Sequence, residues 1–198
     1  MLVRDKVVIV SGIGPGLGQE LSTLAAKEGA AAVVLAARTA AKLDTAEQEI
    51  EALGLDTRVL KVPTDIADAA QCQRLAEQTV AEFGRIDVLF NSAYDPGSFE
   101  PIESADMTGW RRAMDVNFFG TMHLTQACIP AMKANGGGSI VMIASLAGRV
   151  GLPDYGAYCA SKFGVVGMTQ QLALELAATG IRVNCVSPGS HDTDMMDG

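Results

Sequence analysis

The fold is decided by residues 7–18, which read Val7-Val8-Ile9-Val10-Ser11-Gly12-Ile13-Gly14-Pro15-Gly16-Leu17-Gly18. The β-branched run at the start of this stretch is typical of a buried strand, and residues 19–27 after it have a helical pattern. Glycines between a strand and a helix let the backbone turn sharply and approach a pyrophosphate, whose charge the helix N-terminus attracts. The loop residues expected to bind such a phosphate are Gly12, Gly14, Pro15, Gly16, Leu17 and Gly18.

A glycine-rich turn also has a structural interpretation, since any tight strand-to-helix connection can use glycine. The rest of the chain favours the dinucleotide, because strand-like and helical patterns keep alternating around this turn. The predicted strands are 7–10, 32–35, 57–62, 86–90, 139–144 and 181–186. The predicted helices are 19–28, 42–53, 69–83, 107–133 and 155–178.

Crossovers of this length join parallel strands and are right-handed, so the helices should cover both faces of the sheet. The sequence therefore predicts an α/β protein with a doubly wound parallel sheet, a Rossmann fold. No change of composition or linker-like stretch divides the chain. We expect a single domain over residues 1–198, which would bind the dinucleotide and carry the catalytic residues.

Composition excludes several classes of protein. The 198 residues are 48% hydrophobic, which is enough for a buried core, and their formal net charge is −8. Without a basic surface, neither nucleic acid nor an anionic membrane is an expected partner. No apolar run approaches the roughly 18 residues that span a bilayer, and no secretory signal is expected, so the sequence predicts a cytoplasmic protein.

The cysteines and histidines do not form a recognisable site in the sequence. The cysteines are widely spaced and form no Cys-x-x-Cys pair, which favours free thiols in a reducing compartment. The histidines have no ligand spacing, and the acidic tail is typical of a solvated segment, so no metal is predicted. The cysteines are Cys72, Cys128, Cys159 and Cys185, and the histidines are His123 and His191.

Arg38 occupies the position that reads the adenosine ribose in dinucleotide-binding folds. That position lies about 20 residues beyond the glycines, where an acidic side chain would bond the ribose 2′-hydroxyl. An arginine instead suits a 2′-phosphate through its planar set of donors. The sequence therefore predicts NADP, with NAD as the alternative if Arg38 only stacks on adenine or is solvated.

Tyr158 and Lys162 are four residues apart in a helical stretch, so both side chains lie on one helix face. An ammonium about 4 Å from a phenol, at an effective dielectric of about 20, favours the phenolate by roughly 4 kcal/mol, or about three pK units. The phenol would then exchange a proton with a substrate carbonyl or alcohol near working pH.

Two further polar residues are candidates for the same site. Ser145 follows a predicted strand, and ligands bind at the carboxyl ends of strands in open parallel sheets. Asn117 is a polar amide within an apolar run. Each of them alone is equally compatible with a hydrogen-bonded core or capping residue.

Taken together, these residues resemble the short-chain dehydrogenase/reductase family over residues 6–193. The resemblance implies that Tyr158 is the acid/base and that Ser145 orients the substrate. It also implies that Lys162 lowers the tyrosine pKa and bonds the nicotinamide ribose, and that Asn117 holds a water in a proton relay. The cofactor contacts implied outside the glycine loop are Asp65, Ile66, Asn91, Ser92, Ala93, Tyr158, Lys162, Pro188, Gly189 and Thr193.

The activity that the resemblance implies is hydride transfer between a nicotinamide cofactor and a secondary alcohol or ketone. It also implies a homodimer or homotetramer built on the helices at 107–133 and 155–178. The alternative is a cofactor-binding sensor or regulatory protein that does not turn over.

Three departures from the family pattern bear on function. Tyr94 stands where the family has a glycine, which puts a ring near the mouth of the cleft. Pro15 stands where NADP-preferring members often carry a basic residue, so Arg38 is expected to recognise the 2′-phosphate alone. The substrate-covering lid and last strand that usually follow Thr193 are expected to be absent.

Overall fold

The sheet contains six parallel strands in the computed structural model, which describes residues 2–189. The strands are β1 (Val7–Ser11), β2 (Ala32–Ala37), β3 (Arg58–Pro63), β4 (Val88–Asn91), β5 (Gly138–Ile143) and β6 (Ile181–Val186). Their order across the sheet is β3-β2-β1-β4-β5-β6, and every neighbouring pair is parallel. The predicted doubly wound parallel sheet is confirmed.

The helices lie on both faces of this sheet. They are α1 (Leu17–Lys27), α2 (Ala40–Glu51), α3 (Ala69–Phe83), α4 (Met107–Met114), α5 (Thr121–Ala134) and α6 (Gly156–Leu176). Because successive strand side chains point to opposite faces, each strand supplies both cores. Val8 and Leu35 belong to the core formed with α1 and α2, whereas Ile9 and Val34 belong to the core formed with α3, α5 and α6.

The strand order reverses at β1, and this reversal positions the site. The chain runs outward from β1 through β2 to β3, and then returns to place β4 on the other side of β1. The helices that follow β1 and β4 therefore leave in opposite directions, and a crevice opens at the carboxyl ends of these strands. The residues that follow β1, β2, β3 and β4 all border this crevice.

The predicted helix at 107–133 is interrupted in the structure. Between α4 and α5 the chain forms a π-helical turn at Asp115–Gly120, which contains Asn117. A π turn carries one residue more than an α-helical turn, and such turns are frequent at functional sites. Gly120 packs so closely on Ile66 that a Cβ there would lie 2.8 Å from the Ile66 Cγ1 atom. Periodicity alone does not distinguish this insertion from a continuous helix.

Asp87, immediately before β4, connects the beginnings of the two central strands. The buried carboxylate accepts a hydrogen bond from the Val7 backbone N–H at 2.9 Å. It also accepts two hydrogen bonds from the Arg85 guanidinium, at 2.9 and 2.6 Å, and lies 3.8 Å from Lys6 Nζ. One side chain thus fixes the relative position of β1 and β4 at the edge opposite the crevice.

The cysteines and the helices give no sign of a metal or a membrane span in the part of the chain described. All four cysteines are free, and burial raises the pKa of Cys72 to about 12. Within residues 2–189, no group of three or more metal-binding side chains is close enough to hold an ion. No helix in the same range is both long and apolar enough to cross a bilayer.

Candidate active site

The glycine-rich loop between β1 and α1 is shaped by close backbone contacts. Gly12 has a φ of 83°, and a Cβ there would lie 2.4 Å from the Ala93 backbone. A Cβ on Gly18 would lie 2.1 Å from the Gly12 carbonyl oxygen. Gly16, with a φ of 97°, precedes the first turn of α1. Only glycine fits Gly12 and Gly18, and the resulting turn exposes the N-terminus of α1 to an anion.

A cleft of about 210 Å³ opens beside this loop, at the carboxyl ends of the strands. Its walls combine backbone of the loop with side chains that follow β2, β3 and β4. This combination fits the adenosine end of a dinucleotide, because glycine leaves room for the phosphates and polar groups surround the ribose. The cleft-lining residues predicted from sequence are Gly12, Gly14, Pro15, Arg38, Asp65, Ile66 and Ala93.

Lys42 is a cleft residue that the sequence analysis missed. It lies near the start of α2, and its Nζ atom would be 3.4 Å from a Cβ on Gly14. Neither Lys42 nor Arg38 has an ion-pair partner within residues 2–189. Lys42 is thus a second cation of the cleft beside Arg38, and the expected recognition of a 2′-phosphate by Arg38 stays a prediction. An exposed lysine on a polar helix face usually contacts water, so no local pattern marked Lys42.

Asn91 and Ser92 lie beside the cleft rather than in its lining. The Asn91 amide donates to Thr125 Oγ1 at 2.9 Å and to Met142 Sδ at 3.3 Å. The Ser92 backbone N–H donates to the Ser11 carbonyl at 3.2 Å. Both interactions hold the end of β4 in place, and the direct cofactor contacts expected of these residues stay predictions.

The remaining cofactor candidates lie at the two ends of the crevice. Leu17 and Gly18 are the first residues of α1. The Pro188 carbonyl accepts the Leu146 N–H at 2.7 Å, which places Pro188 and Gly189 beside the residue that follows Ser145. Thr193 and the expected missing lid lie outside the described residues.

The structure brings Ser145, Tyr158 and Lys162 together at the end of β5. Ser145 follows this strand, and its hydroxyl lies close enough to the Tyr158 phenol to lower the pKa of that group in part. Lys162 lies one turn along α6, with its Nζ 5.5 Å from the centre of the Tyr158 ring. The ammonium donates to the Ile143 carbonyl at 2.8 Å, so the last residue of β5 holds it in place.

The electrostatics of this trio differ from the expectation. Burial raises the pKa of Tyr158, and the hydrogen bond from Ser145 only partly offsets that effect. Burial also disfavours the charged form of Lys162, and it lowers the pKa of this ammonium to about 8. The pKa of Tyr158 in the protein alone thus lies above its ordinary value rather than below it as predicted, because burial excludes water from the charged form of the phenol.

Asn117 lies in the π turn with both amide N–H groups engaged. One donates to the Asp95 carbonyl at 2.8 Å and the other to Ser161 Oγ at 2.9 Å, and the amide oxygen accepts the Asp95 N–H at 2.6 Å. Its backbone carbonyl accepts a hydrogen bond from Thr121 Oγ1 at 2.8 Å. The side chain thus fixes the segment after β4, and the water-holding role stays a prediction.

This arrangement can perform acid/base chemistry next to a dinucleotide. The Tyr158 phenol, protonated at neutral pH, can donate its proton to a carbonyl oxygen that is also within reach of Ser145. The cleft that begins at the glycine loop leads toward the same tyrosine, since Tyr94 lines the cleft and its ring packs against Tyr158.

Comparison with known proteins agrees with this site. The sequence profile of the family described as short chain dehydrogenase matches residues 6–198. D-threitol dehydrogenase of Mycolicibacterium smegmatis is 41% identical over 186 residues, which cover 92% of this chain and 69% of that protein. Cyclohexanol dehydrogenase of an Acinetobacter species is 35% identical, over 98% of this chain and 76% of that protein.

Solved structures show the same architecture. Levodione reductase superposes with a TM-score of 0.95 at 32% identity, covering 98% of this chain and 75% of its own. NAD⁺-bound xylitol dehydrogenase gives a TM-score of 0.93 at 31% identity, over 99% of this chain and 74% of its own. A short chain dehydrogenase of Shigella flexneri in complex with NADP gives 0.89 at 34% identity, over 98% and 81%.

The relatives named above are dehydrogenases and reductases, and two of the solved structures contain a nicotinamide cofactor, one NAD⁺ and the other NADP. The alternative of a sensor without turnover finds no support among them. The chain belongs to the short-chain dehydrogenase family and is an NAD(P)-dependent oxidoreductase of alcohols and ketones.

Proposed function

We propose that this protein interconverts a ketone and its secondary alcohol with Tyr158 as the proton donor and acceptor. The observation that carries this proposal is the grouping of Tyr158 with Ser145 and Lys162 next to Tyr94 of the cleft. Ser145 would orient the substrate oxygen, and Lys162 would bond the nicotinamide ribose. The bound nicotinamide supplies or accepts the hydride, and the protein orients the substrate and moves the proton.

We infer that the cofactor is NADP. Arg38 and Lys42 line the part of the cleft that follows β2, where an NAD-binding fold would present a carboxylate. Two cations without ion-pair partners among the described residues suit a 2′-phosphate, which would otherwise meet the repulsion of a chain with net charge −8. Asp65 and Ile66, on the facing wall, would contact the adenine.

The substrate we infer is a ketone or secondary alcohol with an apolar body. Leu146, next to Ser145, is 48% exposed, and the Tyr155 ring packs at a tilt against Phe99 with ring centroids 4.4 Å apart. These apolar surfaces lie on the segments before and after the catalytic residues. Such a wall favours cyclohexanol-like rings over polyols, because an apolar pocket leaves hydroxyl groups without partners.

The wider setting that we propose is a single-domain cytoplasmic enzyme that forms homodimers or homotetramers. Four free cysteines support the reducing compartment. Phe119, Phe163 and Leu174 are 49%, 46% and 83% exposed on the π turn and α6, which supports subunit contacts there. Light scattering that finds a monomer at micromolar concentration would contradict the oligomer.

The first experiment is titration of the purified protein with NADPH and NADH, followed by nicotinamide fluorescence and then by turnover of a panel of ketones and diketones. We expect tight NADPH binding with turnover. Tyr158→Phe should abolish turnover and spare NADPH binding, since it removes only the phenolic oxygen. Turnover that survives in this variant would refute the proposed mechanism.

The cofactor preference has its own variants. Arg38→Ala and Lys42→Ala should each weaken NADPH binding at least about tenfold, the loss expected for a charge-assisted hydrogen bond, and leave NADH binding unchanged. Lys27→Ala, which removes an exposed cation at the other end of α1, is the matched control. Equal losses for NADPH and NADH would show that the two cations do not recognise the 2′-phosphate.

A further inference from the structure

Tyr94 is a residue of the site that the proposed reaction does not use. Its ring packs edge-on against the Tyr158 ring, with centroids 6.5 Å apart and planes at 70°. Tyr94 also lines the cofactor cleft, together with Gly12 and Ala93. Tyr94 therefore stands between the cleft and the catalytic tyrosine, in contact with both.

The backbone next to Tyr94 is held by the buried amide of Asn117. The Asp95 N–H donates to the amide oxygen, and the amide N–H donates to the Asp95 carbonyl. The Asp95 carboxylate accepts the Gly97 N–H at 2.8 Å and Arg112 Nε at 2.8 Å. Four hydrogen bonds thus fix the residue after Tyr94, although the segment has no regular secondary structure.

The same amide connects this segment back to Tyr158. Asn117 also donates to Ser161 Oγ, and the Ser161 hydroxyl donates to the Tyr158 carbonyl at 2.8 Å. Hydrogen bonds thus connect the Tyr158 backbone through Ser161 and Asn117 to Asp95, the neighbour of Tyr94. The contact between the two tyrosine rings closes this loop of interactions. These hydrogen bonds hold the backbone segments that carry the two rings in a fixed relative position.

We propose that Tyr94 is a positioning residue that holds the Tyr158 phenol in its reactive orientation and shields it from water. The inference rests on the proposed function, in which Tyr158 transfers the proton. Edge-to-face packing restrains a tyrosine ring that would otherwise rotate about its side-chain bonds. The glycine expected at position 94 from the family pattern has no side chain that could provide this contact.

The surroundings of Tyr158 define what removal of the Tyr94 ring should change. The groups that face the phenol are Tyr94 from the segment after β4, Lys162 and Cys159 from α6, and the Ser145 hydroxyl after β5. Burial is the main cause of the raised tyrosine pKa, and charge repulsion from the Tyr94 phenolate adds to it. Without the Tyr94 ring the phenol is more hydrated, and Tyr158 should titrate at a lower pH.

The kinetic test compares Tyr94→Ala with Tyr94→Phe. We expect Tyr94→Ala to lower kcat about tenfold with KM changed less than about threefold, because misorientation of the proton donor weakens the transition state more than substrate binding. Its pH profile should shift toward lower pH. Tyr94→Phe keeps the ring and should lose clearly less kcat than Tyr94→Ala does. Wild-type kcat in Tyr94→Ala, or an equal loss in Tyr94→Phe, would overturn the proposal.

A spectroscopic test separates this inference from the proposed function. The chain has three tyrosines, so Tyr94→Phe combined with Tyr155→Phe leaves Tyr158 as the single phenol. Its phenolate absorbance reports the titration of Tyr158 without any turnover. Replacing Tyr94 by Ala instead, with Tyr155→Phe kept, should move that titration to lower pH.

An unchanged titration would overturn the role of Tyr94 even if the enzyme is active. A shifted titration in a protein that turns over none of the ketones would support the ring contact and count against the proposed function alone.

Discussion

The burial of Lys162 makes the stability of the protein depend on pH. Burial lowers its pKa from 10.5 to about 8, so the folded protein binds fewer protons than the unfolded chain between these pH values. Stability therefore rises with pH through this window, since the cost of burying the ammonium disappears as it deprotonates. Below about pH 8 Lys162 is protonated in the folded protein, and the full free-energy cost of burying its ammonium is present.

We predict that Lys162→Met removes this pH dependence. Between about pH 8 and pH 9.5 the wild-type protein should gain about 2 kcal/mol of unfolding free energy relative to this variant. Urea unfolding at several pH values measures the gain. Lys27→Met removes an exposed lysine and should behave as wild type. A constant difference between wild type and Lys162→Met would show that Lys162 stays protonated throughout.

At the residue scale, the sequence predicts which functional groups lie close together but not how deeply they are buried or how burial changes their pKa values. The four-residue spacing of Tyr158 and Lys162 and the strand end before Ser145 are sufficient to bring the three together. Their pKa values depend on burial by segments distant in sequence, which no spacing reveals. Lys42 was not predicted as a cleft residue, because its position there depends on the packing of α2 beside the glycine loop, which the sequence pattern does not show.

At the scale of elements, the loop between β1 and α1 is the most constrained part of the site. Gly12 combines a positive φ with a contact in which a Cβ would lie 2.4 Å from the Ala93 backbone. Gly54 shares the positive φ, at 64°, but a Cβ there would meet nothing within 4 Å. Substitutions at both glycines would strain the backbone, but only a substitution at Gly12 would also cause steric overlap. Comparing the two positions therefore distinguishes these effects.

We predict that Gly54→Ala costs about 1 kcal/mol of stability from its positive φ alone and leaves cofactor binding unchanged. Gly12→Ala should cost more than this, since the loop after β4 must also move away. It should weaken dinucleotide binding at least about tenfold, because the backbone can no longer approach the pyrophosphate. Thermal unfolding and fluorescence titration measure both effects, and equal behaviour of the two variants would contradict the overlap.

The strands and most helices were predictable because each carries its own signal. Runs such as Val7–Val10 are β-branched and bounded by turn residues, and Ala69–Phe83 begins after an Asp68 side chain that caps two backbone N–H groups. The π turn at Asp115–Gly120 has no such signal. It depends on the fit of Gly120 against Ile66, a contact between segments more than 50 residues apart.

At the scale of the whole molecule, Asp87 determines how the two halves of the sheet begin. The carboxylate is buried, whereas its partners Arg85 and Lys6 are about half exposed. Removing it leaves the buried Val7 N–H without an acceptor at the beginning of the central strand. An unsatisfied buried donor costs more than the loss of an exposed ion pair.

We predict that Asp87→Ala lowers the free energy of unfolding by about 1–3 kcal/mol, whereas Arg85→Ala lowers it by less than about 1 kcal/mol. Urea unfolding of both variants measures the difference. Similar losses would mean that the ion pair, rather than the bond to Val7, holds the strands. The catalytic residues lie at the opposite edge of the sheet, so kcat of the folded Asp87→Ala protein should remain at the wild-type level.

The π turn gives one stretch of helix two directions of contact. Each residue of an α-helix advances about 100° around the axis, so one additional residue in a turn rotates everything before it by about that angle. Here the rotated part, α4, packs on α6, while the part that follows, α5, packs on α3. The additional residue thus lets one continuous stretch of helix pack against two different neighbours. Two separate helices would need a loop between them to do the same. Deleting a single residue from this turn would aim α4 away from α6 while leaving every side chain of α4 intact.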